Sequence, residues 1–321
     1  MSDSIDVLVL RRSIHRLPIT DYAQKLQNKL PDHQIERADT PQEEQEKIQS
    51  ASVVTGFDIP DVEWTNIKDL KLFACTFAGT DHLPINEFKK HGIAVTSASG
   101  VHGPNIAEHV IGSILVFSRR FHTAWKQKQN NEWRHYRGGE FQNSTVTIVG
   151  LGAIGSSVAR RLEPFGVKKI AIRHSPEKDG PVDEVHGYGT EGMEKSLSRT
   201  DYLVLACPLT NRTRNLVDQQ RLITLPKHAV LINVARGAVV DTDALVSALG
   251  RGEIRGAALD VTKPEPLPND HPLWDFSNVL ITPHNAGSTP KYFDRLSDIV
   301  VENVKKIEET GSLNNLRSQV V

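Results

Sequence analysis

The chain has 321 residues, 38% hydrophobic and 24% charged, with 38 Lys and Arg against 39 Asp and Glu for a formal net charge of -1. That length exceeds one ordinary core and suits two domains, and the scattered, balanced charge leaves no electrostatic footprint for nucleic acid or an anionic membrane. The opening residues, Met1-Ser2-Asp3-Ser4-Ile5-Asp6, carry no basic leader and no apolar run approaches a membrane span, so no export or membrane insertion is expected and the expected partner is a small molecule.

Short apolar runs alternate with helical patterns from the start. Strands are expected at residues 5–10, 52–55, 72–77 and 93–96, with helices at 22–30 and 85–91. Such alternation predicts a parallel sheet covered on both faces, and this first unit ends near Gly100. An apolar helix over 105–120 and a polar segment over 126–142 follow. The alternation then resumes, with strands expected at 146–149, 169–172, 202–206, 229–233, 256–259 and 279–281. Together they reach the strand number of a doubly wound dinucleotide fold. Residues 175–192, rich in Gly, Pro and charge, read as surface loop. The last helix, 291–309, sets Phe293, Leu296, Val300, Val304 and Ile307 on one face, which it offers to the first unit. Cys75 and Cys207 each lie near apolar strand-like runs, which suits buried thiols in a reducing compartment; a cytoplasmic protein without a metal site is expected.

The run Thr145-Val146-Thr147-Ile148-Val149-Gly150-Leu151-Gly152-Ala153-Ile154-Gly155 leads a β-branched strand into G-x-G-x-x-G near mid-chain, so a further domain is made before it. Gly150 permits the tight turn, Gly152 lets backbone approach a pyrophosphate, and Gly155 lets helix and strand pack closely; the amides of Ala153 and Ile154 face the phosphate charge. The pattern alone also fits a tight strand-to-helix connection. Its placement between two strands favours a dinucleotide site.

At the end of the next strand an NAD site offers Asp or Glu to the ribose hydroxyls. This chain reads Ile172-Arg173-His174-Ser175 and offers neither. Arg173 can meet a 2′-phosphate and Ser175 can hydrogen-bond it, so NADP is expected in preference to NAD, with NAD still possible. The alternative is a solvated Arg173 and loose use of NAD.

Three potentially chemical residues follow predicted strands: Arg236 after 229–233, Glu265 after 256–259, and His284 after 279–281. Open α/β sheets bind ligands at that end of their strands. Hydride transfer to a 2-keto acid needs a cation for the carboxylate and a proton donor for the carbonyl oxygen, which Arg and His can supply. Glu265 is the candidate to pair with and orient His284. Singly, each has an ordinary reading as a surface, capping or salt-bridge residue; their joint placement points to catalysis.

At this point Asn233-Val234-Ala235-Arg236-Gly237, Gly256-Ala257-Ala258-Leu259-Asp260-Val261, Glu265-Pro266-Leu267, Pro272-Leu273-Trp274 and Thr282-Pro283-His284-Asn285-Ala286-Gly287 resemble the signatures of the D-isomer-specific 2-hydroxyacid dehydrogenase family. Pro208-Leu209-Thr210 with Thr213, and Ala107-Glu108-His109, also match, so the resemblance covers essentially the whole chain. It implies an α/β protein of two doubly wound domains. A Rossmann-type cofactor domain, 101–286, would be inserted into a flavodoxin-like substrate domain, 1–100 with 287–321, with the active site in a hinged cleft.

The resemblance further implies that Arg236 binds substrate, that His284 is the acid in reduction and base in oxidation, and that Glu265 supports it. Asp260 and the Val234 carbonyl would hold the nicotinamide carboxamide, and Cys207, Pro208 and Thr213 would line the cofactor groove. Backbone amides of Ala78 and Gly79 would cradle the substrate carboxylate, although Phe77 stands where many members have glycine and Asn105 where Ser or Thr is common. A homodimer through residues 105–142, with Trp125 and Trp133, is also implied. The expected activity is reduction of 2-keto acids to D-2-hydroxy acids with NADPH. The alternatives are a glyoxylate or hydroxypyruvate reductase and, from another class, a dinucleotide-sensing corepressor.

Overall fold

The computed structural model describes residues 5–12 and 17–321. The chain divides into two compact units, Met1–His102 with Thr289–Val321, and Gly103–Ser288.

The first unit contains β1 (Ile5–Val9), α1 (Ile19–Lys29), β2 (Ile35–Arg37), α2 (Pro41–Lys47), β3 (Ala51–Gly56), β4 (Leu72–Cys75), α3 (Ile85–Lys90) and β5 (Ala94–Thr96). The sheet runs β2-β1-β3-β4-β5 with every pair parallel, which is the flavodoxin order. Period-two alternation places Val7 and Val9 in the core on one face and Leu8 and Leu10 in the core on the other. Both faces being covered, β4 is buried at all of its residues and reads as a continuous apolar run. β2 escaped the sequence reading because it is a three-residue edge strand, half-exposed throughout, with no apolar run to mark it.

The second unit contains α4 (Gly103–Ser118), α5 (Phe121–Gln129), β6 (Thr145–Val149), α6 (Ala153–Leu162), β7 (Lys168–Ile172), β8 (Glu184–His186), α7 (Thr190–Leu197), β9 (Tyr202–Leu205), α8 (Gln219–Thr224), β10 (Val230–Asn233), α9 (Thr242–Gly250), β11 (Gly256–Leu259) and β12 (Val279–Ile281). Its sheet is parallel throughout, in the order β12-β11-β10-β9-β6-β7-β8. This is the Rossmann arrangement, with the strand order reversing between β6 and β9, where such sheets bind dinucleotides. The two sheets together make the α/β, Rossmann-within-flavodoxin-like architecture that the sequence predicted.

One expectation needs correction. Residues 175–192 are not all loop, because β8 pairs with β7 through Ile170 to Glu184, Ala171 to Val185 and Ile172 to His186, making a seventh strand. The charge that disguised it is its anchor. Glu184 accepts from Arg199 Nη1 at 3.0 Å and from Lys168 Nζ at 2.7 Å, with His186 Nε2 at 3.2 Å. The Arg199 guanidinium and then the Lys168 ammonium hold its carboxyl far below the usual carboxylate range. The segment read as polar at 126–142 likewise begins inside α5.

After the second unit, α10 (Tyr292–Thr310) returns to the first. All five residues of its predicted stripe, Phe293, Leu296, Val300, Val304 and Ile307, are buried in the first unit's core, and Phe293 stacks on Tyr22 of α1 with ring centroids 4.9 Å apart. Gly311, in the left-handed conformation, closes the helix.

Candidate active site

The turn after β6 shows why glycine recurs there. Gly150 has φ +95°, and a Cβ on it would come within 2.7 Å of the Ala206 carbonyl and of Cys207 Cα, so only glycine lets this turn close on the chain leaving β9. A Cβ on Gly155 would sit 1.9 Å from the Gly150 carbonyl oxygen, which ties α6 to the turn at backbone contact. Gly152 differs. A Cβ there would meet no protein atom within 4 Å and would fill the open side of the turn, where a pyrophosphate must approach the backbone. Gly152 also precedes Ala153 and Ile154, whose amides open α6, so the turn fits a dinucleotide.

Further along the same sheet edge, Arg173, His174 and Ser175 follow β7. Arg173 Nη1 lies 3.4 and 3.5 Å from the carbonyls of Lys178 and Asp179, and Arg212 Nη1 stands 2.9 Å from His174 Nδ1. Cys207, Pro208 and Thr213 follow β9. The buried Thr213 hydroxyl donates to the Pro208 carbonyl at 2.6 Å and accepts from the Thr210 N–H at 2.7 Å, fixing the shape of that loop. Burial pushes the Cys207 thiol up to about 11, so at neutral pH it is a neutral packing group, and Cys75 is pushed up to about 11 for the same reason.

Arg236, Glu265 and His284 follow β10, β11 and β12, three adjacent strands. The Arg236 turn is braced by buried Asn233, whose side chain accepts from the Ala235 N–H at 3.0 Å and donates to the Arg236 carbonyl at 3.1 Å. Gly237 is required beside it, since a Cβ there would sit 1.9 Å from the Thr262 carbonyl oxygen. Arg236 Nη1 donates to the Ala235 carbonyl at 2.7 Å, leaving the rest of an exposed guanidinium for a carboxylate.

His284 Nδ1 lies 2.5 Å from Glu265 Oε1. An ionised carboxylate only accepts, so Nδ1 is the donor and Nε2 is left for proton exchange. The side chains of His284 and Glu265 are 51% and 41% exposed, so the pair can be reached by a substrate. His284 has φ +51°, a conformation that costs a residue other than glycine roughly 1–2 kcal/mol and must be held by its surroundings.

Asp260 supplies that hold, a role sequence reasoning missed. Only 4% exposed, its carboxylate accepts from the Thr282 hydroxyl at 2.5 Å and from the Asn285 and Ala286 N–H groups at 2.8 and 3.0 Å. The Asp260 carbonyl also accepts from the His284 N–H at 2.8 Å. From α4, Asn105 donates to the Ala286 carbonyl at 2.7 Å, and His109 Nε2 stands 3.3 Å from the Thr282 hydroxyl. A sequence signal was present for His109, which falls in the matched Ala107-Glu108-His109 motif, whereas Asn105 stands where the pattern has Ser or Thr.

In the first unit, Ala78 and Gly79 are exposed at the C-terminal end of β4, and a Cβ on Gly79 would meet nothing within 4 Å. They belong to a different unit from the residues above. Among the described residues no metal-ligating cluster of His, Cys, Asp or Glu occurs, and no helix is long and apolar enough to cross a membrane.

Residues 111–286 match the model of the D-isomer specific 2-hydroxyacid dehydrogenase NAD binding domain. The chain belongs to this family. It is 38% identical over 243 residues to a glyoxylate reductase of Thermofilum pendens, covering 74% of this chain and 71% of that one. It is 34% identical over 241 residues to the human glyoxylate reductase/hydroxypyruvate reductase, covering 74% and 73%. A D-isomer specific 2-hydroxyacid dehydrogenase from Xanthobacter autotrophicus Py2, solved with NADPH and MES, superposes with a TM-score of 0.76 at 27% identity over 99% of this chain and 98% of that one. This 2-hydroxyacid dehydrogenase is therefore an oxidoreductase acting on CH–OH donors with a nicotinamide dinucleotide. The glycine turn lies inside the matched segment, as do Arg236, Glu265 and His284.

Proposed function

We propose that the chain reduces small 2-keto acids to D-2-hydroxy acids with NADPH, glyoxylate and hydroxypyruvate being the first candidates because the relatives above carry those names. The observation that carries the chemistry is the His284–Glu265 pair at 2.5 Å, on the same sheet edge as Arg236. A bound nicotinamide dinucleotide supplies the hydride. Arg236 holds the substrate carboxylate and carbonyl oxygen. His284 gives its Nε2 proton to the carbonyl oxygen as charge develops there and takes one back in the oxidation direction. Glu265 fixes the ring so that Nε2 carries that proton. Asp260 and the Val234 carbonyl hold the carboxamide; one oxygen of Asp260 accepts a single protein hydrogen bond and retains a lone pair for it. The two functional domains follow the two compact units. A homodimer through the region of α4 and α5 is supported by the exposure of Phe121, Trp125 and Trp133.

Preference for NADPH rests on the turn after β7, which presents Arg173 and Ser175 and no carboxylate. Arg173→Ala is expected to raise the KM for NADPH about tenfold and that for NADH less than twofold, as loss of one charge-assisted contact to a phosphate requires. Steady-state kinetics with both cofactors check this, and equal effects on the two would remove the 2′-phosphate argument.

A further inference from the structure

We infer that Arg212, docked on His174, is a second cation for the 2′-phosphate of NADP(H) and sets cofactor choice jointly with Arg173. This deepens the NADPH reading and rests on it. Arg212 lies outside the turn where dinucleotide specificity is read from sequence, on the loop after β9, and only the fold brings it there. Its Nη1 stands 2.9 Å from His174 Nδ1. A guanidinium has no acceptor and stays charged, so His174 Nδ1 must accept and that imidazole carries its hydrogen on Nε2. One of the five guanidinium N–H donors is thereby spent on positioning the group, and the other donors and the positive charge remain at the turn that also carries Arg173 and Ser175.

The loop that delivers Arg212 is stiff. Thr213, next to it in sequence, is 3% exposed and knits the loop to Pro208 and Thr210 through its hydroxyl. Arg212 is exposed, and neither it nor Arg173 is ion-paired with a carboxylate among the described residues, although Glu177 and Asp179 lie in the neighbouring exposed loop. Two guanidinium groups without a carboxylate partner are brought to one turn, and a dianionic phosphate there can accept from both. His174 is here a positioning residue for Arg212, acting through its Nδ1 acceptor.

The test is a titration of the purified full-length protein with NADPH, NADH, 2′-AMP and 5′-AMP, comparing wild type with Arg212→Ala, Arg173→Ala, His174→Phe and His174→Asn. The wild type should bind NADPH more tightly than NADH and 2′-AMP more tightly than 5′-AMP. Arg212→Ala should weaken NADPH and 2′-AMP about tenfold and change NADH and 5′-AMP less than twofold. His174→Phe should lose part of the same discrimination, and His174→Asn, which keeps a side-chain acceptor, should restore some of it. If Arg212→Ala leaves the NADPH-to-NADH ratio at the wild-type value while Arg173→Ala collapses it, the inference about Arg212 fails and the NADPH reading stands. A wild type that binds NADH as tightly as NADPH overturns both.

Discussion

Replacing His284 with alanine is expected to lower kcat by about 10²- to 10⁴-fold, the contribution typical of a positioned general acid. Glu265 takes one ring nitrogen of His284, so the other is the proton-exchanging atom; the second histidine near this turn, His109, faces the buried Asp260 carboxylate at 4.0 Å and the Thr282 hydroxyl. The main chain that carries His284 is held independently of its imidazole, by the Asp260 carboxylate on Thr282, Asn285 and Ala286 and by the Asp260 carbonyl on the His284 N–H. The variant therefore loses the proton donor and keeps the loop. Alanine does tolerate φ +51° less well than histidine, so a melting curve is needed alongside. His284→Asn, which accepts positive φ but has no imidazole, separates backbone cost from lost chemistry. Both variants should lose kcat to a similar degree. Retention of kcat within tenfold of wild type in either would assign the proton to another group.

Arg236→Ala is expected to lower kcat/KM for 2-keto acids by about 10²- to 10³-fold, because a forked cation on the substrate is removed from both binding and the charge-developing step. The turn itself should survive, since Asn233 and Gly237 shape it through main-chain contacts and Arg236 gives only one bond, to the neighbouring Ala235 carbonyl. Arg236→Lys tests the geometry, as a lysine keeps the charge but cannot present two parallel donors. It should recover only a minor part of the activity. Full activity in Arg236→Lys would mean that charge alone is required, and near-native kcat/KM in Arg236→Ala would move substrate binding elsewhere.

Much of this architecture was readable because it is written locally. The glycine turn combines a left-handed φ at Gly150 with backbone contact at Gly155, both of which forbid a side chain, and a stripe on α10 repeats at helical spacing. The residues after β10, β11 and β12 stood out because each follows an apolar strand at the end where parallel sheets bind ligands. What stayed hidden depends on distant partners. β8 is polar because Arg199 and Lys168, from other elements, neutralise Glu184, so no apolar period marks it. Asp260 was read from the family resemblance as a cofactor contact, and its brace on the 282–286 turn became visible only once β11 and β12 were paired. Arg212 gave no signal from its own loop, since its meeting with His174 spans 38 positions of sequence.

The most direct measurement is turnover by the purified protein. Oxidation of NADPH and of NADH is followed with glyoxylate, hydroxypyruvate, pyruvate and 2-ketoisocaproate, and the configuration of each chiral product is determined. The account predicts oxidation of NADPH in step with formation of the 2-hydroxy acid, in the D configuration where the product is chiral, and faster than with NADH at low cofactor concentration. Failure to oxidise either cofactor with all four acids, or formation of the L enantiomer, would contradict it.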